Sequence, residues 1–446
     1  MKRLAFLLLV LSLVSVNAFA AGHIVLFKNG TPAGFADQVA ALGGTVRFEH
    51  KILALVDGLD AEAAVRLGTV GGVSLVEQDT EFALDVNAGE IEPTFATPDS
   101  PSDPTLAGRY AWQWNMRAIG ADVAWAAGYK GSPAVRVAIL DTGIDRFGAN
   151  HIDLVGRIDY ASGAQFMLDD PIVIGMGYPL YPTDDLHFHG THVATTVASN
   201  AYATAGVTSG VTVIPVKVLG LRLGANGWGG SGTLGAVLAG VLHAADVDAD
   251  VANMSLGGGF YKMGNGRTLS LINTVFNYAH RQGMVIVVSA GNDALDLDHD
   301  GPLYKTYCTT PNTVCVSATG PATSADRSGP WSDVDALASY SNYGRSAINV
   351  AAPGGDSGGF VWAACSRASL LYGCSGGNFV LGSAGTSMAA PHVSGLAALI
   401  VEQIGRNKPA QVKAILEQSA DDLGQPGTDP AYGKGRINVP RALGLQ

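Results

Sequence analysis

Short runs of Val, Ile, Leu and Ala recur along the chain at strand length, separated by segments in which apolar residues return every third or fourth position. Continuous apolar runs suit strands buried on both faces, and the wider spacing suits helices with one buried face. Strand-like runs fall at Val135–Leu140, Val211–Val218, Val251–Met254, Val285–Val288, Val314–Val316 and Ile348–Ala351. Helical patterns alternate with them at His189–Ser199, Thr233–Ala245, Leu269–Arg281, Ser387–Gln403 and Pro409–Ser419. Such alternation predicts an α/β fold, with a mainly parallel central sheet covered by helices on both faces. In sheets of this kind the chemistry gathers at the carboxyl ends of the strands.

Ahead of this region, residues 21–81 read as a small unit of their own. Strand-like runs at His23–Phe27, Gly44–Phe48, Lys51–Val56 and Val73–Glu77 surround two short helices, Ala33–Leu42 and Ala61–Leu67. Residues 82–105 then break into a linker bearing Pro93, Pro98, Pro101 and Pro104. The main domain is expected over 106–446, with no internal repeat. Residues 1–20 are a separate matter: Lys2 and Arg3 precede the apolar stretch Leu4–Val16, and Ala18-Phe19-Ala20 forms a small-x-small cleavage site. That is the layout of a secretory signal peptide, too short to span a bilayer. The chain is therefore expected to be secreted, extracellular or with the periplasm as the alternative, and free of the membrane once the signal is removed.

Composition agrees with export and narrows the partners. Charged residues make up 15% of the chain, below the roughly 25% of ordinary soluble domains, and the net charge of −11 speaks against nucleic acid as a partner. A monomer is expected. Cys308, Cys315, Cys365 and Cys374 are an even set in an exported chain, implying two disulfides. Three pairings exist; Cys308–Cys315 and Cys365–Cys374 are favoured, because each closes a short loop of turn-forming residues.

Three segments carry chemistry. The strand ending at Leu140 runs into Asp141-Thr142-Gly143-Ile144-Asp145, which sets a carboxylate at a strand's carboxyl end. His187-Phe188-His189-Gly190-Thr191-His192 places a histidine at the mouth of a small-residue helix, without the glutamate of a zinc H-E-x-x-H helix. Gly385-Thr386-Ser387-Met388-Ala389-Ala390-Pro391-His392 places a serine where an apolar helix begins, beside free backbone N–H groups. Taken singly, each is explained by capping or a turn. In this order they resemble the Asp, His and Ser motifs of the subtilisin-like serine proteases, whose order along the chain is also Asp, His, Ser.

The resemblance, from about Trp112 to Leu445, implies a subtilisin-like three-layer fold preceded by a small α+β propeptide domain. It also implies a serine endopeptidase acting on protein or peptide substrates through an acyl-enzyme. Ser387 would be the nucleophile, His189 its general base and Asp141 the carboxylate orienting the imidazole, since a serine hydroxyl is weakly nucleophilic until a base takes its proton. Ser289-Ala290-Gly291-Asn292 resembles the family's oxyanion segment, so Asn292 and the Ser387 N–H would bind the oxyanion. Substrate would lie as an added strand between Gly230-Ser231-Gly232 and Ser255-Leu256-Gly257-Gly258, beside Ala290 and Gly291. Leu234, Val237 and Leu256 would form an apolar pocket, although Asp293 could instead favour a basic residue. Residues 21–81 would be the inhibitor-like propeptide, blocking the cleft until self-cleavage in the linker. The rival class, a non-catalytic binding protein of the same fold, is disfavoured by the intact set Asp141, His189, Asn292 and Ser387.

Two strings resemble other hydrolases. Gly355-Asp356-Ser357-Gly358-Gly359 matches a chymotrypsin-like signature without its β-barrel context. Gly373-Cys374-Ser375-Gly376-Gly377 fits G-x-S-x-G, but strand-like residues follow where a nucleophile elbow needs a helix. The chemistry requires no cofactor. A structural calcium ion is the one metal the sequence raises: Asp296, Asp298 and Asp300 open a calcium-loop spacing whose twelfth residue is Tyr307 instead of Glu. A solvated acidic turn is the equal alternative. Asp153 keeps a family calcium ligand, but the facing loop Asn200–Ala205 is short.

Overall fold

The computed structural model describes residues 22–84, 87–93, 103–146, 151–225, 227–258, 260–261 and 266–445. The expected signal peptide, residues 1–20, lies outside them, as do residues 94–102 of the expected linker. The chain divides into two compact units between Asp79 and Thr80.

The first unit contains β1 (His23–Phe27), α1 (Phe35–Ala41), β2 (Thr45–Glu49), β3 (Leu53–Asp57), α2 (Ala61–Leu67) and β4 (Val73–Gln78). The strands form an antiparallel sheet in the order β2-β3-β1-β4. Asp60 starts α2 by accepting the Ala63 N–H at 2.7 Å, satisfying one donor that a helix start leaves open. Val25, Phe35, Val39, Val56 and Leu67 fill the space between sheet and helices.

The second unit begins with β5 (Glu81–Ala83) and β6 (Asn87–Pro93), continues to β7 (Arg136–Asp141) and β8 (Ala164–Gln165), and then α3 (His189–Val197). Next come β9 (Thr212–Lys217), the hairpin β10 (Leu219–Gly224) and β11 (Gly227–Thr233), α4 (Leu234–Asp246), β12 (Val251–Met254) and α5 (Gly266–Arg281). The remainder is β13 (Val285–Ser289), β14 (Thr313–Thr319), β15 (Val350–Pro353), the antiparallel pair β16 (Val361–Cys365) and β17 (Phe379–Ala384), α6 (Thr386–Ile404) and α7 (Pro409–Gln418). Seven strands pair in parallel in the order β15-β14-β13-β12-β7-β9-β8, so the parallel sheet is as expected.

All four residues of β12 and all five of β13 are buried, which explains their unbroken apolar sequences. Helix α6 passes through the core and is buried from Thr386 to Val401. Gly395 permits that passage: a Cβ there would stand 2.6 Å from Val207.

The linker expectation needs correction. Within residues 82–105, Phe82 and Ala83 belong to β5, which pairs with β11, and Asn87–Pro93 forms β6, which pairs with β17. Neither stretch has a strand-like apolar pattern, because its pairing comes from exposed edges elsewhere in the unit. Pro93 is tolerated at the last position of β6.

Candidate active site

Asp141 ends β7 and His189 opens α3, and the two loops meet backbone to backbone. Gly143 has φ of 111°, and a Cβ on Gly190 would fall 2.0 Å from the Gly143 carbonyl oxygen, so this approach requires glycine on the helix side. His189 Nδ1 lies 2.7 Å from Asp141 Oδ1, with both side chains fully buried. A carboxylate only accepts, so Nδ1 carries the proton and Nε2 is left as the basic nitrogen. Nε2 has no hydrogen-bond partner among the described residues.

A second carboxylate, absent from the sequence reading, fixes this pair. Asp185 is buried and accepts from Thr142 Oγ1 at 2.8 Å, from the His187 and Phe188 N–H groups at 3.1 and 2.9 Å, and from Thr191 N–H and Oγ1 at 2.9 and 2.7 Å. Burial pushes its carboxyl above the ordinary value, and the bonds from Thr191 oppose that shift. Lys217, also buried, donates to the Thr142 and Asp184 carbonyls at 2.8 and 2.7 Å and pairs with Asp169 at 3.2 Å. No local signature marks Asp185 or Lys217, since their roles arise from contacts across the fold. His192 and His392, the other histidines of these motifs, are buried: His192 Nε2 bonds the Leu381 carbonyl at 3.0 Å, and His392 Nδ1 bonds the Met388 carbonyl at 2.8 Å.

Ser387 stands in the first turn of α6. Pro391 lacks the N–H that would take the Ser387 carbonyl within the helix, and Ser255 Oγ donates to that carbonyl instead, at 2.7 Å. Ser387 Oγ donates to the Ser255 carbonyl at 3.2 Å. Asn292 is set by Thr386, whose N–H and Oγ1 both donate to Asn292 Oδ1, at 2.9 and 2.8 Å. This fixes the amide with its Nδ2 as the donor end. A cleft of about 360 Å³ is lined by Leu256, Gly257, Gly258, Gly291, Asn292 and Ser387.

The other predicted binding residues separate into two groups. Gly230 and Ser231 line an adjoining groove, and Gly232 pairs with Phe82 of β5. Ser255 and Ala290 are fully buried supports, and Leu234 and Val237, at 3% and 0% exposure, belong to the core and do not line the cleft. Asp293 does reach the cleft, but Lys305 pairs with it at 2.9 Å, which removes the basis for a basic-residue preference. Ser357 and Ser375 lie on exposed turns.

Both favoured disulfides are formed, Cys308–Cys315 and Cys365–Cys374. The calcium expectation is not supported by the residues present. Asp296 bonds His299 at 2.7 Å, Asp298 holds the Ser346 N–H at 3.2 Å, and among the described residues no three His, Cys, Asp or Glu converge as metal ligands. Asp153 is likewise committed. It accepts the N–H groups of Tyr202 and Ala203 on one oxygen, at 2.8 and 2.9 Å, and that of Thr204 on the other, at 3.0 Å. The short loop thus supplies donors where a cation would need acceptors.

An Asp–His pair at the carboxyl end of a parallel strand and a serine in the first turn of a buried helix are the side chains that a hydrolase acting through a serine would need. Comparison with known proteins makes this specific. The model of the subtilase family matches residues 132–435. The chain is 33% identical over 347 residues to the thermophilic serine proteinase of Bacillus sp. (strain AK1), covering 77% of this chain and 69% of that one. It is 32% identical over 347 residues to thermitase of Thermoactinomyces vulgaris, covering 77% and 99%. The fold is similar to that of fervidolysin from Fervidobacterium pennivorans, with a TM-score of 0.67 at 24% identity over 96% of this chain and 61% of that one. The chain belongs to the subtilase family and is a serine endopeptidase acting on peptide substrates.

Proposed function

We propose that this protein is an exported precursor that cuts itself between Leu84 and Asn87 and then acts as a broad secreted endopeptidase. The observation that carries this reading is that Leu84 lines the same cleft as Ser387 and that Asn87 pairs with the strand leading to that serine. On one side, the Leu84 N–H donates to the Gly230 carbonyl at 2.8 Å, continuing the β5–β11 ladder. On the other, Asn87 pairs with Ala384, three positions before the serine. A substrate for strand addition would enter and leave by the same two edges.

In this reading Ser387 Oγ turns from the Ser255 carbonyl to His189 Nε2 as it attacks, and Nε2 takes the proton. Hydrogen bonds of this kind often tighten only in the reacting complex. Asp141 holds the imidazole's tautomer and steadies the imidazolium. The Ser387 N–H and Asn292 Nδ2 receive the oxyanion; loss of the corresponding donor costs about 10²–10³ in turnover in subtilisin itself. His189 then returns the proton to the leaving amine. Residues 21–81 serve as the intramolecular inhibitor and residues 1–20 as the export signal. No step calls on a cofactor.

Expression of the native chain and of Ser387→Ala, followed by N-terminal sequencing, tests the proposal. The native product should begin at Asp85, Val86 or Asn87, and the variant should remain a precursor that a serine-reactive organophosphate does not label. Equal trimming of both forms would assign maturation to another protease. Equal labelling of both would remove Ser387 as the nucleophile.

A further inference from the structure

Strand β6 lies along the edge of β17, from Asn87 opposite Ala384 to Pro93 opposite Phe379, with a register shift between the Ala88–Ser383 and Glu90–Gly382 pairs. β17 leads into Ser387, so on the reading above this ladder holds the residues downstream of the cut. On the reading above, β6 stands there as a substrate segment supplied by the chain itself. Side chains two apart on a strand share a face. Glu90 and Glu92 are such a pair, and both meet Arg327, at 2.7 and 2.5 Å.

Arg327 is held ready by aromatic rings. Its guanidinium stands 5.4 Å from the Trp112 ring centre and 5.6 Å from that of Trp362, and the two rings are 4.8 Å apart. Arg109 stacks 4.1 Å from the Trp112 ring and lies close enough to Glu92 for the two charges to interact. A guanidinium on an aromatic face loses less freedom on meeting a carboxylate than one in open solvent. Asp326 lines the same groove, but its carboxylate accepts the Ser328 N–H at 2.6 Å. Two stacked cations thus face the downstream strand of a protein whose net charge is −11.

We propose that Arg327, seated on Trp112 and Trp362 and assisted by Arg109, is a specificity residue for the downstream side of the cleft. The favoured substrates are extended polypeptides with two carboxylates in alternate positions beyond the cut, as Glu90 and Glu92 stand in β6. The proposal rests on the protease reading and extends it to a substrate class.

The test uses the mature secreted protein with its own Glu90 and Glu92 replaced by Gln, so that β6 no longer holds Arg327 by charge, and internally quenched peptides copying residues 80–93, with Glu, Gln or Lys at the positions of Glu90 and Glu92. Half-exposed ion pairs contribute modestly, so kcat/KM should be about threefold to tenfold higher for the Glu peptide than for the Gln peptide. The Lys peptide should be poorest, and the differences should shrink in high salt. Arg327→Gln should remove the discrimination, and Arg327→Glu should reverse it toward the Lys peptide, a gain that a misfolded variant cannot show. Equal cleavage of all three peptides by this protein with Arg327 intact would overturn the proposal, as would an unchanged preference once Arg327→Gln is added. Failure to cut any peptide would instead overturn the protease reading beneath it.

Discussion

Phe188 has φ of 153° and ψ of −25°, a setting that a residue with a Cβ holds only under constraint. The constraint comes from both ends. Asp185 takes its N–H at 2.9 Å, and its ring is buried among Cys365, Cys374 and Leu381. Because His189 follows directly, the strain at Phe188 fixes where the imidazole begins. Asp185 is therefore a positioning residue: it is fully buried and does not line the cleft, yet it joins the Asp141 turn to the His189 helix. In Asp185→Asn the amide would turn donors toward donors, at about 1–3 kcal/mol for each unmet buried bond. A displacement of the imidazole by about 1 Å would lower kcat about 10²-fold with KM little changed. Steady-state kinetics normalised to organophosphate-titrated sites would measure this. A normal kcat in a folded Asp185→Asn protein would mean that Asp185 serves stability alone.

At the scale of elements, the parts that bury themselves could be read from sequence and the parts that borrow a partner could not. Val251–Met254 and Ala61–Leu67 have the predicted bounds, since an apolar run or a capped period carries its own signal. Phe82, Ala83 and Asn87–Pro93 read as linker because their partners, β11 and β17, are distant in sequence. The candidate site followed the same division. Asp141, His189 and Ser387 lie in dense local motifs, whereas Asp185, Lys217 and Arg327 act through contacts that no local pattern encodes. The disulfides show what such contacts do. Cys365–Cys374 packs on Phe188, ahead of His189, and Cys308 follows Thr306, whose hydroxyl holds the Ser289 carbonyl at 2.8 Å beside the cleft. Their loops are similar in length, so removal of either should cost about 2–3 kcal/mol of stability. Their kinetic effects should differ. Paired Cys365→Ala and Cys374→Ala substitutions should lower kcat through His189, while paired Cys308→Ala and Cys315→Ala substitutions should mainly raise KM by loosening the wall. Identical kinetic changes in the two double variants would contradict this division.

For the whole molecule, the buried histidines set a limit in acid. Burial lowers His192 to about 3 and His392 to about 4, and it also lowers His151 and His187, from an ordinary value near 6.5. Each imidazole stays neutral in the folded protein while its unfolded counterpart takes a proton. Their contribution to stability is therefore complete above about pH 6.5 and is lost as pH falls toward the folded values. Each such histidine adds a slope of up to about 1.4 kcal/mol per pH unit, so His192 and His392 together remove about 3 kcal/mol between pH 6.5 and pH 5. Asp184, Asp185 and Glu402 act in the opposite sense, because burial raises their carboxyls, but three carboxyls stand against four imidazoles. A loss of this size is a large part of the 5–15 kcal/mol that holds a typical domain folded. Urea midpoints of the Ser387→Ala precursor, in which self-digestion cannot interfere, should be level above about pH 7 and fall steeply below pH 6. A midpoint that held steady down to pH 5 would mean that these imidazoles accept protons inside the fold, and that the packing around α3 and α6 opens to water in acid.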